Sequence, residues 1–237
     1  MIDPAAIAES MTARLAEQGD PERAIAQKAY LKSDLAHLGC TVPIIRREAK
    51  RAARDHALDL GSVLDVADAL WVEPVHERRL AAIELIRTRA ADLTLDHLPR
   101  LERILRECRG WALLDPLALE LGDVLEGDPG TPVLDRWAAD DDFWMRRTAL
   151  LAHLGPLSAG RGGFDRFAGY ADAMLEEKEF FVRKAIGWVL RSAGKRDPER
   201  VAAWVLPRAA RMSGVTHREA VKYLLPGDVA RIAAARG

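Results

Sequence analysis

The chain has 237 residues, of which 49% are hydrophobic and 30% charged, a composition typical of folded proteins rather than disordered ones. Two cysteines without CxxC spacing exclude a disulfide framework and a thiolate zinc site, and they suit a reducing compartment. The six histidines never fall at HxxxH or HxxE spacing, so no metal is predicted. The apolar runs are too short to cross a membrane and the first residues lack a signal-peptide pattern, so we predict no membrane association and a cytoplasmic location.

The net charge of −1 conceals an uneven distribution along the chain. Residues 1–143 carry 18 basic and 27 acidic side chains, a net charge of −9, whereas residues 144–237 carry 17 and 9, a net charge of +8. Such asymmetry between halves is a hint of a polyanion partner. Uneven charge also often contributes only to solubility, and both interpretations stay open.

Helical periodicity runs through almost the whole sequence. Apolar residues recur at three- and four-residue spacing between short breaks of glycine, proline and aspartate, and strand patterns are almost absent. The predicted helices span residues 5–18, 21–37, 44–58, 62–71, 74–90, 95–109, 116–125, 131–139, 143–154, 164–176, 179–193, 198–209 and 216–225, with a short helix from Asp228. Asp20 and Asp142 are predicted helix caps, with Thr41 as a possible third, and residues 127–130 and 155–163 are predicted to be non-helical.

About a dozen helices joined by short turns predict an all-α fold. Successive helix pairs recur about every 35–45 residues, as in HEAT-type hairpins. We therefore predict a curved solenoid of HEAT-like helical repeats, in a single domain over residues 1–237 that is a monomer. No crisp sequence repeat is visible, so a compact α-bundle is the structural alternative.

The segment 178–191, KEFFVRKAIGWVLR, predicts a helix with one aliphatic face. At 100° per residue, four side chains form the stripe that faces the core: Val182, Ile186, Val189 and Ala193. Trp188 points about 130° away from this stripe, with Lys184 four positions before it and Arg191 three after it. It is either a boundary tryptophan covering a neighbouring helix among solvated cations, or a functional aromatic side chain.

In the segment 110–115, GWALLD, Trp111 and Asp115 are four residues apart, which places them on one face of a helix. Asp115 also precedes Pro116, the pattern of an N-cap with proline at the first helical position. From the residues alone, the capping role is favoured over a catalytic one. The two roles are compatible.

The segment 143–150, FWMRRTAL, places a cation in a row of otherwise apolar residues. An arginine at such a position must snorkel, pair or bind an anion, and this applies to Arg147. Trp144 is predicted to lie in the core. His153 is predicted to be a structural histidine with satisfied hydrogen bonds.

Four segments of the chain read EFFVRKAIGWVLR, DDFWMRRTALL, GWALLD and AYLKSDLAHLGCTVPIIRR. They resemble signature segments of the AlkD-like family of DNA alkylation-repair glycosylases. The resemblance extends from Ala29 to the TxREAxKYL segment that begins at Thr216. The match over residues 179–191 is long and specific for the family, whereas the Trp-x-x-x-Asp pattern supports the resemblance only together with the other segments. The resemblance implies a curved stack of HEAT-like repeats whose concave face binds duplex DNA.

Carried over residue by residue, the resemblance implies that Asp115 is the catalytic carboxylate and that Trp111 and Trp188 are the aromatic side chains that flank it. It further implies that Arg147 engages the DNA backbone near the lesion and that Arg191 is another DNA-contacting cation. To these DNA-binding residues we add Lys184, which shares the helix face of Trp188 and Arg191.

The resemblance implies excision of positively charged N3- and N7-alkylated purines from double-stranded DNA, without drawing the base into a pocket. A cationic base is already a good leaving group, so a fixed carboxylate and indole faces suffice to stabilise the charge that develops on the deoxyribose. No cofactor is predicted. Two features depart from this expectation: Pro116 follows Asp115 directly, and the first half of the chain is acidic. The alternative is a non-catalytic HEAT-like module that binds DNA structures or protein partners.

Overall fold

The computed structural model describes residues 2–127 and 131–237, so the predicted turn at 127–130 lies outside the described residues apart from Gly127. Within these ranges the regular structure is helical, apart from one isolated bridge between Ala36 and Val75. The predicted all-α fold is confirmed. None of the described helices is both long and apolar enough to cross a lipid bilayer.

The chain divides into two compact units. The first unit comprises Met1–His97 with Cys108–Leu117, and the second comprises Leu98–Glu107 with Ala118–Gly237. The helices in chain order are α1 (Pro4–Glu17), α2 (Pro21–Leu31), α3 (Val42–Asp55), α4 (Leu60–Trp71), α5 (His76–Arg87), α6 (Leu98–Glu107), α7 (Trp111–Val124), α8 (Thr131–Ala138), α9 (Phe143–Leu151), α10 (Leu154–Ser158), α11 (Phe164–Ala173), α12 (Phe180–Gly194), α13 (Pro198–Val205), α14 (Gly214–Ala220) and α15 (Pro226–Arg236). That the whole chain forms one domain stays a prediction.

Short polar side chains begin several of these helices. Asp20 accepts a hydrogen bond from the backbone amide of Arg23, and Asp142 accepts one from that of Trp144, so both predicted caps are confirmed. Thr41 precedes α3 but makes no capping hydrogen bond through its side chain. Each capping oxygen satisfies an amide that the first turn of a helix leaves without a partner.

Side-chain contacts recur between residues that are one repeat apart in the sequence. Examples with separations of 34 to 38 residues, each within one unit or the other, are Arg14–Glu48, Arg46–Glu84, Glu102–Arg136, Asp135–Tyr170, Asp165–Arg200 and Asp172–Arg208. Corresponding helices of successive repeats therefore face each other with complementary polar groups. The predicted helical-repeat organisation is confirmed by this spacing.

The second unit is built around α12. The aliphatic stripe predicted for this helix is buried, with Val182, Ile186 and Val189 fully enclosed in the core of the unit. The helix packs against α9, α10, α13 and α14. Burial on so many sides fixes the rotation of α12, and with it the direction of every side chain on its outer face.

The prediction that the second helix extends to residue 37 is wrong, because α2 ends at Leu31. Lys32 adopts the left-handed conformation, with φ 49° and ψ 45°, which stops the helix. The amides of Leu38, Gly39 and Cys40 then donate to the buried carboxylate of Glu77, at 2.8, 2.8 and 3.2 Å. This distant carboxylate satisfies amides in the segment between α2 and α3, which forms no helix.

Two further predictions are corrected by the second unit. The first part of the predicted loop 155–163 is helical, since α10 spans Leu154–Ser158, and only the part with the positive-φ residues Gly160 and Gly162 is irregular. Trp144 is half-buried rather than in the core. Its indole lies between the rings of Phe143 and Phe181, with centroid distances of 4.6 and 4.9 Å.

His153 is buried, but its ring is not fully satisfied, contrary to the prediction. Nε2 has no hydrogen-bond partner, and the ring lies 5.9 Å from that of Phe167 and 5.7 Å from that of Tyr170. Burial, together with the nearby charge of Arg166, lowers the pKa of His153 to about 4. The imidazole is therefore held neutral in the folded protein at pH values where an unfolded chain would begin to protonate it.

A depressed histidine pKa makes the folded state lose stability as the pH falls. Between the unfolded pKa near 6.5 and the folded value of about 4, the unfolded chain binds the extra proton, at a cost of about 1.4 kcal/mol per pH unit. We expect urea midpoints of the His153→Leu variant to fall less steeply than those of the wild type over this range. The exposed His56, changed to leucine, is the control and should leave the slope unchanged. Equal slopes for His153→Leu and wild type would contradict this account.

Candidate functional site

Trp111 and Asp115 lie on consecutive turns of α7, which begins at Trp111. The prediction that they share one helix face is confirmed. The amide of Leu114 donates to the carbonyl of Gly110 at 3.1 Å, so the helix is already formed before Asp115 is reached. Asp115 is 7% exposed and Trp111 is half-buried.

Asp115 is not an N-cap. It lies inside α7 rather than at its start, and Pro116 follows it within the helix. A proline at an interior position has no amide to donate to the carbonyl four residues before it, which here belongs to Ala112. The capping role favoured from the sequence is therefore wrong.

The outer side of Trp111 meets a residue that the sequence analysis did not single out. Tyr30, near the end of α2, is 75% exposed, and its ring packs edge-on against the indole with the centroids 6.2 Å apart. A cavity of about 60 Å³ lies beside the indole and is lined in part by Leu31, Lys32 and Arg79. No local spacing could have linked Tyr30 to Trp111, because the two are brought together only by the packing of the first unit.

The outer face of α12 carries Lys184, Trp188 and Arg191 in the second unit. Trp188 is half-buried against the edge of the core, whereas the aliphatic stripe of the same helix is enclosed, so its predicted direction away from the stripe is confirmed. Lys184 is exposed, and its ammonium lies 5.9 Å from the centroid of the Phe180 ring. Arg191 is ion-paired with Glu219.

Arg147 on α9 is almost completely buried, at 2% exposure. Its guanidinium donates to the backbone carbonyl oxygen of Phe181 and lies 5.7 Å from the centroid of the Phe181 ring. Of the three outcomes expected for a cation in an apolar row, it therefore forms pairing contacts within the protein. These contacts tie α9 to the beginning of α12, the helix that carries Trp188.

The candidate residues thus form two sets, one in each unit. The first unit brings together Trp111 and Asp115, to which the structure adds Tyr30. The second unit groups Lys184, Trp188 and Arg191 on α12, with Arg147 in contact with the start of that helix. Among the described residues, no cluster of three or more histidine, cysteine or acidic side chains could hold a metal ion.

The sequence profile of DNA alkylation repair enzymes matches residues 11–224 of the chain. The chain therefore belongs to the DNA alkylation repair enzyme family, which supports a role in DNA repair and the status of an enzyme. The predicted family is confirmed. No curated protein matches the sequence.

Two solved structures share the fold. One, described as a predicted DNA alkylation repair enzyme from Enterococcus faecalis, superposes with a TM-score of 0.75 at 23% identity, over 88% of this chain and 98% of that one. The other, AlkD2 from Streptococcus mutans, gives a TM-score of 0.59 at 16% identity, over 78% of this chain and 91% of that one. At these identities the likeness establishes the helical architecture.

The position of Trp188 depends on the residue before it. A Cβ added at Gly187 would lie 2.7 Å from the Cβ of Glu219 and 3.0 Å from the carbonyl oxygen of Thr216, so α12 and α14 touch where only glycine fits. The hydroxyl of Thr216 also donates to the carbonyl of Arg183 at 3.1 Å. Together these contacts fix α12 against α14 at the residue that precedes Trp188.

We expect Gly187→Ala to destabilise the protein by about 1–3 kcal/mol, because the added methyl group forces the two helices apart. Gly169 is the matched control, since it lies inside α11 and an added Cβ there meets nothing within 4 Å. Gly169→Ala should be neutral or stabilising by up to about 1 kcal/mol, through helix propensity. Chemical denaturation of both variants measures the difference, and equal stabilities would show that the close approach at Gly187 has no energetic consequence.

Proposed function

We propose that the protein is a monomeric DNA glycosylase that hydrolyses the N-glycosidic bond of cationic N3- and N7-alkylated purines in duplex DNA. The observation that carries the proposal is the buried carboxylate of Asp115, held one helical turn from the half-exposed indole of Trp111. The helix does not need Asp115 as a cap. Membership in a family of DNA alkylation repair enzymes supports a damaged nucleic acid as the substrate.

The proposed chemistry requires little proton transfer to the base. When the bond from C1′ to the purine nitrogen breaks, its electron pair neutralises the positive charge of the alkylated base, which leaves as a neutral molecule. Positive charge develops at C1′ and on the ring oxygen of the deoxyribose. A carboxylate stabilises that charge and orients the water whose oxygen bonds to C1′, while its proton passes to solvent.

The aromatic side chains have a complementary role in this proposal. An indole face attracts a cation, so it favours both the alkylated base before cleavage and the developing sugar cation. Trp111 takes this role beside Asp115, and the exposed ring of Tyr30 extends its aromatic surface. By the family resemblance, Trp188 contributes a second indole. Lys184 and Arg191 supply cations for the DNA backbone. Arg147 is buried and acts by supporting the start of α12, the helix that carries them.

Asp115→Asn tests the catalytic role directly. Loss of the charge should slow release of 3-methyl- or 7-methylpurine from methylated duplex DNA by about 100-fold or more, while duplex binding stays nearly unchanged. The matched control is Asp123→Asn on the same helix, because the Asp123 side chain is 71% exposed and pairs with Arg161. Single-turnover release of the base is the measurement.

A different pattern would contradict the assignment. If Asp115→Asn melts at a much lower temperature but retains normal turnover, Asp115 contributes only to the stability of α7. If the wild type releases no alkylated base and still binds duplex DNA, the protein is the non-catalytic DNA-binding module instead.

Salt titration separates the charged residues of α12 from its aromatic one. Affinity for duplex DNA should fall steeply with salt, and Arg191→Ala or Lys184→Ala should reduce the slope by about one unit per lost phosphate contact. Trp188→Ala should instead slow excision more than it weakens binding and leave the slope unchanged, since an indole neutralises no phosphate. Arg211→Ala is the control, because it removes an exposed, paired arginine that lies outside α12. Unchanged slopes for both α12 cations would show that this face is solvated surface.

A further inference from the structure

The most concentrated group of cations in the described residues lies in the first unit, on α3. Five basic side chains follow each other along this helix: Arg46, Arg47, Lys50, Arg51 and Arg54. At 100° per residue they fall within an arc of about 140°, and the buried positions of α3 lie on the opposite side. The arc extends about 12 Å along the helix axis. We refer to these five residues as the α3 basic face.

The cations of this face point outward, and the carboxylates of Glu48 and Glu84, which pair with some of them, point inward. Asp55, which pairs with Arg51 and Arg54 at one end of the face, is 43% exposed. The side chains of its four arginines are 44 to 74% exposed, whereas those of Glu48 and Glu84 are 4% and 3% exposed. A groove of about 580 Å³ runs along the face, and its lining is almost wholly basic: Pro43, Arg46, Arg47, Glu48, Lys50, Arg51 and Arg54. A partner approaching from solvent therefore meets five cations and the exposed carboxylate of Asp55, which leaves a net positive charge.

The two buried carboxylates hold the arginines in fixed positions. Glu84 on α5 accepts from Arg46 in a two-point contact, at 2.9 and 3.0 Å, and from Arg87 at 2.9 Å. Burial by itself would raise the pKa of Glu84, but the hydrogen bond from Arg46 and the charges of both arginines lower it below its ordinary value. Glu84 is therefore ionised at neutral pH and keeps Arg46 oriented.

Glu48, which lies on α3 itself, also holds arginine side chains in position. Its carboxylate lies 3.1 Å from the Nε of Arg14, 3.6 Å from that of Arg47 and 3.9 Å from a terminal nitrogen of Arg51. The amide of Gln18 also donates to it, at 3.3 Å. One buried negative charge thus attracts several guanidinium groups, which reduces the conformational entropy that these long side chains lose on binding a ligand.

We propose that the α3 basic face binds the sugar-phosphate backbone of duplex DNA, with Glu48 and Glu84 as positioning residues for its arginines. A row of guanidinium groups repeated at each helical turn suits a row of phosphates, because each guanidinium has five N–H donors and keeps some of them for a phosphate after pairing with a carboxylate. Backbone contacts of this kind fix the position of the duplex without reading its sequence. The inference rests on the proposed function, which supplies duplex DNA as the substrate.

The first test removes positive charge from the α3 basic face and leaves Glu48 and Glu84 unsubstituted. The triple variant Arg47→Gln, Lys50→Gln and Arg54→Gln should flatten the salt dependence of duplex binding by about two to three units, at about 0.9 per phosphate contact. The loss should be equal on alkylated and undamaged duplexes, because contacts to the backbone do not read the base. The control triple, with the same change of net charge at exposed arginines elsewhere, is Arg103→Gln, Arg211→Gln and Arg231→Gln.

The second test separates positioning from net charge. Glu84→Gln and the control Asp165→Asn each make the protein more positive by one charge, and the Asp165 side chain is 90% exposed. If Glu84 orients Arg46, its variant should bind duplex DNA more weakly and with a shallower salt slope, whereas the control should bind as tightly as wild type or more so. Tighter binding by Glu84→Gln would overturn the positioning role. If this variant does not fold, the triple variant alone decides whether the face binds DNA.

The outcomes distinguish this proposal from the proposed function. A protein that releases alkylated purines normally while the α3 triple and the control triple have the wild-type salt slope would remain a glycosylase, and the α3 proposal would fall. A protein that releases no base but whose salt slope falls only in the α3 triple would keep the DNA-binding face and lose the glycosylase assignment. A wild type that binds no duplex, or prefers single-stranded RNA of equal length, would overturn the α3 proposal.

Discussion

Polar pairing at the spacing of one repeat is the interaction on which the structure most depends. An exposed ion pair stabilises a protein by only about 0–1 kcal/mol, so pairs such as Asp165–Arg200 cannot fix the register of the helices by their attraction. Glu48 and Glu84 differ because they are buried, and a buried charge without its partner costs about 3–5 kcal/mol. The register in the first unit is therefore set by the penalty for misalignment, which would leave these carboxylates unpaired.

Glu77 is also a buried carboxylate that needs partners, and its partners are backbone amides instead of arginine side chains. Its carboxylate is fully buried and accepts three successive amides, those of Leu38, Gly39 and Cys40. These amides belong to the connection between α2 and α3, which would otherwise bury backbone donors without partners. The left-handed Gly39, with φ 81°, permits this arrangement, since a Cβ there would lie 2.0 Å from the carbonyl oxygen of Asp20. One acidic side chain thus satisfies three backbone donors of this connection.

These interactions explain which parts of the fold and the site could be predicted from the sequence. The stripe of Val182, Ile186 and Val189, and the direction of Trp188, follow from the 3.6-residue period, which is a local property. The end of α2 could not be predicted, because Glu77 lies far from it in sequence. The cap prediction at Asp115 followed the local preference of a residue before proline. The buried row of Leu113, Leu114 and Leu117 continues through Pro116 and outweighs that preference.

The charge of a segment and the charge that a partner meets are different quantities in this protein. The half with a net charge of +8 contains Arg147, which is buried, and Arg191, which is paired with Glu219. The half with a net charge of −9 contains the α3 basic face, whose cations are exposed and whose neighbouring carboxylates Glu48 and Glu84 are not. Counting residues gives equal weight to a buried carboxylate and an exposed arginine, although only the second can contact a phosphate. An acidic segment can therefore present a basic surface, provided that folding places its acidic side chains beneath its basic ones.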